Sequence, residues 1–470
     1  LCRNPAPQLL GSLSDIACSH STPPLPYRAG RDFHNFQTVY RDDSNVEVVG
    51  FTAAQIPGIS DRPYPAYLAG SLYPDGLPIF NEDELEKIIQ EHQVTTCILS
   101  YSDLSYNKVM ELADRCLSSG AAFSLLPPRK SMIKATSKPV IAVCAVRTGC
   151  GKSQVSCYID KYLQRQYGLK SVLIRHPMPY GDLKEQAVQR FATYEDLEKH
   201  KVTIEEREEY EQHIKRGTVV YAGVEYGWIL NQAEQEDVDV VLFDGGNNDV
   251  SFYAPDLWFC VADPHRPGHE SMYYPGELNF KMADAIIINK ANTADEENIA
   301  AIKKSALRLN PSATVYVTDS VLTVDKPELV EGKRVLLIED GPTLTHGEMQ
   351  QGAAYWAAQK YGAGEIVDPR PYLKGSLMDT YKKYPHLGKL IPAMGYWPQQ
   401  VKDLEESIAA VLPHVDTVVI GTPMNLSKLI KIDKPTVVVS YAVEDREPPY
   451  LNEAIDTFVQ KFVKKEGNGK

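Results

Sequence analysis

Short, nearly continuous apolar runs alternate along most of this chain with longer amphipathic stretches. Residues 140–146, 171–175, 238–243, 257–262 and 285–289 are built almost entirely from Val, Ile, Leu, Phe, Ala and Cys. Apolarity without a polar residue at every second position marks strands buried on both faces, as in parallel sheets. The stretches between them suit helices, for instance 154–167, and further strands are expected at 218–222 and 314–318. Strand following helix following strand predicts an α/β fold around a parallel sheet.

The same pattern divides the chain into parts. Residues 1–28, rich in Pro, Ser and Cys, read as an irregular N-terminus, unstructured or truncated, with no amphipathic targeting pattern. Residues 29–130 read as a Rossmann-like domain, with helices at 32–40, 83–92 and 105–118 and strands at 47–52, 96–101 and 123–126. Its leading strand is expected to be missing, because Pro23, Pro24 and Pro26 before Gly30 cannot sit in a central strand. That weakens any dinucleotide or coenzyme site at Gly30. A polar linker leads to residues 138–325, where an apolar strand running into Gly151-Lys152-Ser153 marks a P-loop NTPase core, and a C-terminal α/β region at 332–462 carries strands at 334–338, 417–420 and 436–440. Residues 368–398 read as a long irregular segment of the kind that forms lids. The charged run 203–216 reads as a solvated helix.

Length and charge narrow the function. A chain of 470 residues with 43% hydrophobic and 24% charged residues buries ample core for several domains. A net charge of −13 argues against a general nucleic-acid binder. No apolar run nears the ~20 residues of a membrane helix, so a cytoplasmic protein is expected, with homo-oligomerisation left open. The eight cysteines show no C-x-x-C pairing, which excludes a sequence-evident zinc site or disulfide framework.

The apolar run 140–146 leads into Thr148-Gly149-Cys150-Gly151-Lys152-Ser153-Gln154. Strand, glycine turn, Gly-Lys-Ser and helix make a phosphate-binding loop: backbone N–H groups cradle a β-phosphate, Lys152 reaches the β/γ oxygens and Ser153 holds Mg²⁺. The full pattern asks for glycine where Val146 stands. Cys150 reads as a small residue tolerated in the turn rather than a redox thiol. The run 238–243 delivers Asp244, followed by Gly245 and Gly246, as a second Mg²⁺ carboxylate at the end of a buried strand. Asn289 and Lys290 end a later strand in an N-K-x-D-like element, expected near the base. Asn292 in place of the usual Asp weakens guanine selectivity, so ATP is favoured and GTP stays open.

Two loops, 175–182 and 263–270, concentrate Arg175, His176, His265, Arg266 and His269. Groups of this kind at the carboxyl edge of a parallel sheet suit an anionic substrate. Asp182 is a further candidate for Mg²⁺ or a general base. Zinc on His265 and His269 is disfavoured, since Pro267 breaks the helix that would align them. Glu339 to His346, after another strand, could join the same crevice.

The strings VRTGCGKSQ, RHPMPYGDL, RFATYEDLEKH, IEEREEYE, VVYAGVEY, DGGNND, DPHRPGHE and YYPGE, taken in order, resemble the P-loop family related to cyclic 2,3-diphosphoglycerate synthetase over roughly residues 29–460. The resemblance implies an ATP-dependent closure of two phosphates into an internal anhydride, releasing ADP and phosphate. It implies Lys152, Ser153 and Asp244 on Mg–ATP, and Arg147, Arg175, His176 and Arg266 gripping a small phosphorylated acid, with Lys152, Asp244, Arg147 and His176 closest to the chemistry. A looser similarity of the DGG-N turn and N-K element to nickel-chaperone GTPases implies the alternative, a nucleotide-switched binding protein.

Overall fold

The computed structural model describes residues 8–11, 30–53, 63–176, 183–345, 349–395, 398–422 and 424–463. Among them, thirteen strands form one mixed sheet and five form a second, with helices on their faces: an α/β fold. In the large sheet the strands Thr314–Val324, Ala285–Ile288, Leu257–Ala262, Val140–Ala145, Val240–Asp244, Ser171–Arg175 and Val219–Ala222 lie side by side in that order, all parallel. Val140–Ala145 at the centre is buried at every residue, as its unbroken apolarity requires.

The sheet does not stop at Thr314–Val324. That strand runs past the carboxyl edge of its parallel neighbours and pairs antiparallel with the long strand Thr436–Glu447. Thr417–Ile420 is parallel to Thr436–Glu447, and Arg334–Asp340 is parallel to Thr417–Ile420. The C-terminal strands therefore run opposite to the core strands, and the two carboxyl edges face each other. The space between them is where loops from both halves meet.

The small sheet is parallel throughout, in the order Ile79–Asn81, Glu47–Ala53, Gln8–Gly11, Thr96–Leu99, Ala122–Leu125. The central strand Gln8–Gly11 corrects the expectation of a missing leading strand. It pairs Leu9 with Val48 on one side and with Thr96 on the other, well upstream of the prolines that suggested its absence. This sheet docks on the core through Arg31, which donates to the Val250 carbonyl at 2.7 Å and lies over the Phe252 ring, and through Arg41 with Glu225 at 3.0 Å. Beside Arg31 only about 20 Å³ of cavity remains, far too little for a dinucleotide.

Two further expectations are corrected. Residues 368–395 are not irregular throughout: they contain the helix Ser376–Lys383 and the strand Ile391–Ala393. The charged run forms the helix Ile204–Ile214, opened by a Thr203/Glu206 capping box, but it is buried, not solvated. Its charges are matched within the helix and from distant parts of the chain. Arg207 pairs with Glu211 at 3.2 Å, Glu208 accepts from the Thr422 hydroxyl at 2.6 Å, and Glu211 accepts from the Asn425 N–H at 2.9 Å. Ile204 packs into the apolar core of the C-terminal half. The helix thus stands between the two halves of the sheet.

Candidate functional site

Helix Lys152–Tyr162 begins where the central strand turns, at Gly151 with φ +103°. A side chain there would be strained, and its Cβ would collide with the Asn289 amide. Lys152 is buried, and its Nζ donates to the Asn247 carbonyl. The loop rests on a tight set of braces. Asn289 Nδ2 donates to the Cys150 carbonyl at 3.2 Å while its Oδ1 accepts from Thr318 at 3.1 Å. Lys290 Nζ donates to the Gly149 carbonyl at 2.5 Å and pairs with Asp263 at 2.9 Å. Arg266 donates to the Thr148 carbonyl at 2.8 Å and to Asp263 at 3.1 Å. Burial opposes ionisation of Asp263, yet Lys290 and Arg266 hold its carboxyl well below the usual carboxylate range.

These contacts differ from a base-reading element. Asn292, which stands where a guanine-reading Asp would be, spends its amide on the backbone of Ser320, donating and accepting at 3.0 Å. Cys150 is fully buried, which raises its thiol pKa.

The Arg and His loops are likewise engaged internally. Arg175 pairs with both Asp244 and Glu209, and burial raises the Asp244 carboxyl while Arg175 opposes the rise. His176 Nδ1 lies 2.8 Å from Asp249. Arg147 pairs with Asp103 at 2.7 Å and sits 3.6 Å over the Tyr273 ring. His269 is pushed down to about 4 by burial and by neighbouring Arg147, so at neutral pH it is an uncharged acceptor beside Arg147 Nη1. His265 meets the Thr293 hydroxyl at 2.9 Å. Asp182 lies outside the described residues.

A cavity of about 490 Å³ opens between the facing edges. Of the residues expected at the site, Thr148, Gly149, Gly151, Lys152, Ser153, Gln154, Arg175, His265, Arg266 and Lys290 line it. Cys150, Asn289, Asp244, Arg147, His176 and His269 stand behind this wall. Glu209 lines the same side, against Arg175 and the Ser153 hydroxyl, while the opposite wall brings Glu339, Asp340 and Tyr441, with the apolar Leu322, Met349 and Trp356. Glu208 lies just behind, its carboxyl pushed well above the usual range by burial and by Asp340. The phosphate-loop end of the cavity therefore carries Lys152, Arg175, Arg266 and Lys290 with Glu209 among them, and the far wall carries the carboxylates Glu339 and Asp340.

Asp103 and Glu209 escaped the reading of the sequence. Asp103 lies in the loop that follows the small-sheet strand Thr96–Leu99, and its Oδ2 accepts from the Thr148 hydroxyl at 2.6 Å and the Thr148 N–H at 3.2 Å. Nothing local to either residue marks it, since both act on partners far along the chain.

Glu339, anticipated only from its place after a strand, accepts from the N–H groups of Ala354 at 3.0 Å and Tyr355 at 2.8 Å at the start of helix Ala353–Lys360. Burial raises its carboxyl from 4.5 to about 7, against the pull of those N–H groups. A raised carboxyl pKa means the native state holds the proton longer than the unfolded chain. Stability should therefore fall as pH rises from about 4.5 to about 7 and level off above, by ~1–3 kcal/mol. Urea unfolding of Glu339→Gln across pH 4.5–8 should lack this slope; an unchanged slope assigns it to another group.

No protein-family model matches the chain. It is 56% identical over 436 residues to arginine synthetase ArcE of Thermococcus kodakarensis, an alignment covering 93% of this chain and 96% of that protein. Similarity to cyclic 2,3-diphosphoglycerate synthetase of Pyrococcus furiosus is 20% over 281 residues, or 54% of this chain and 63% of that protein. The near-full-length match overturns the resemblance to the diphosphoglycerate family. An ATP complex of LpxK from Aquifex aeolicus superposes with a TM-score of 0.41 at 14% identity, covering 79% of this chain and 99% of that one, a likeness too slight to bear on fold or function. Among the described residues no helix is long and apolar enough to cross a membrane.

Proposed function

The chain belongs to the family of arginine synthetase ArcE, and from that premise we propose that it is a Mg²⁺-dependent enzyme that uses ATP to make arginine. The observation that carries this reading is the two-ended cavity: Lys152 and the phosphate loop at one end, Glu339 and Asp340 at the other. A polyanionic acid would be repelled by those carboxylates, and the arginines expected to grip it are already paired. A guanidinium product, or the ammonium from which it is built, suits an acidic wall.

The chemistry follows from the product. A guanidinium needs a third nitrogen on a carbon that already holds two nitrogens and an oxygen. That oxygen leaves poorly until it carries a phosphoryl group. Attack of the ureido oxygen on the γ-phosphorus of ATP breaks the bond to the β-phosphate and releases ADP. Ammonia then adds to the carbon, phosphate departs with the oxygen's electron pair, and the surplus proton passes to a carboxylate. Lys152 is suited to the charge that builds on the β/γ oxygens, and the acidic wall to positioning ammonium.

Among the described residues no three His, Cys, Asp or Glu side chains are arranged to hold a metal alone. That fits Mg²⁺, which relies on nucleotide phosphates and water with one or two carboxylates. Ser153 and Asp244 are the hard oxygen donors in reach, and the ion would supply charge neutralisation at the phosphates.

Release of ADP from ATP should require both the ureido analogue of arginine and ammonium, with arginine formed in equal amount. ADP release stimulated by 2,3-diphosphoglycerate and not by this pair would sink the assignment.

A further inference from the structure

Asp244 ends its strand with no exposed surface, although it is placed beside the phosphate loop. What separates it from the cavity is Arg175, whose guanidinium bridges Asp244 and Glu209 and whose own side chain is 2% exposed. Glu209 is 22% exposed, lines the cavity, and accepts from the Ser153 hydroxyl at 3.3 Å. Two carboxylates and the hydroxyl of the Gly-Lys-Ser element thus converge on one cationic centre. One guanidinium leaves this group of two carboxylates with a net negative charge, which a divalent cation would cancel.

Resting on the Mg–ATP reading above, we infer that Arg175 holds the magnesium position while the site is free of nucleotide. Glu209 then joins Ser153 and Asp244 as a protein ligand of the metal once nucleotide enters. Each component has a physical reason. Ser153 and both carboxylates are hard oxygen donors, the kind magnesium takes. The guanidinium is a fixed cation that satisfies them when phosphate is absent and so prevents two buried carboxylates from facing each other unpaired. Metal alone must break both ion pairs without the phosphate oxygens that complete its shell. Metal arriving with nucleotide gains those oxygens and leaves Arg175 a phosphate to pair with. The two ligands should therefore bind cooperatively, each raising the affinity of the other by the same factor.

The test is a Mn²⁺ titration of the full chain, followed by electron paramagnetic resonance of the free ion, with and without ADP. Wild type should bind Mn²⁺ weakly alone and much more tightly with ADP. Glu209→Gln should lose about tenfold or more of the Mn²⁺ affinity measured with ADP, while ADP binding in excess chelator stays as in wild type. Arg175→Gln should gain about tenfold in Mn²⁺ affinity without ADP, because the carboxylates are no longer neutralised. Arg175→Lys keeps a cation and should stay near wild type. Should Arg175→Gln fail to fold, Glu209→Gln, at the cavity surface, decides alone. Normal ADP binding with unaltered Mn²⁺ affinity in Glu209→Gln, or in folded Arg175→Gln, overturns the exchange and leaves the nucleotide reading standing. No ADP binding by wild type, with or without metal, overturns both.

Discussion

Lys152→Ala should lower ADP release by about 10³-fold, the upper end of what removing one preorganised charge-stabilising donor costs. The residue follows the left-handed Gly151 at the first position of its helix, so its stem is fixed and its ammonium hangs over the loop mouth, held by the Asn247 carbonyl. Exchanging that carbonyl for phosphate oxygens costs the folded protein one hydrogen bond, whereas alanine removes the only group of the Gly-Lys-Ser element that carries positive charge. The loss should fall mainly on kcat, because the ammonium matters most where charge develops. The fold should persist, with far-UV circular dichroism and the urea midpoint near wild type. Turnover within a few fold of wild type would end the phosphate-loop assignment.

Asp103→Ala should be the most damaging single change to stability away from the central strands, by ~3–5 kcal/mol, the usual cost of stranding one partner of a buried ion pair. Its carboxylate meets Arg147 at 2.7 Å with one oxygen and Thr148 with the other, and its N–H donates to Asn248 at 2.7 Å. Arg147 is 3% exposed, and Asp103 is the carboxylate it pairs with, beside a neutral His269 and the Tyr273 ring. Thr148 would also lose the contact that fixes the first turn of the phosphate loop, so the KM for ATP should rise together with the drop in stability. Asp103→Asn, which keeps an acceptor but not the charge, should fall between. The comparison is made on urea unfolding curves and on steady-state KM values. A loss under ~1 kcal/mol with unchanged KM would mean that the small sheet merely rests against the loop.

What could be read directly from the residues was local. The central strands advertise themselves by unbroken apolarity, and the phosphate loop by strand, glycine turn, Gly-Lys-Ser and helix in sequence. What could not be read depended on partners far along the chain. The run around Glu208 and Glu209 looks solvated until Thr422, Asn425 and Arg175 are brought to it. Gln8–Gly11 is a short strand whose pairing comes entirely from residues 47–51 and 96–98. Asn289 and Lys290 sit where base readers are sought, but turn inward to the loop carbonyls. The mistaken family has the same origin. The strings that suggested it run from Val146 to Glu277, the phosphate-handling half. Glu339, Asp340, Gly421 and Tyr441, which furnish the opposite wall, lie beyond them.

The ribbon of Thr314–Val324 against Thr436–Glu447 has a mechanical meaning. Ser320 and Leu322 line the cavity and are also rungs of the ladder that joins the two halves of the sheet. A change in the width of the crevice would therefore have to flex this hydrogen-bonded strip rather than slide one packed surface over another. Strands twist and coil as a property of their backbone. The gap between phosphate loop and acidic wall is thus set by the curvature of two strands, much as the gap of a pair of tweezers is set by its spring.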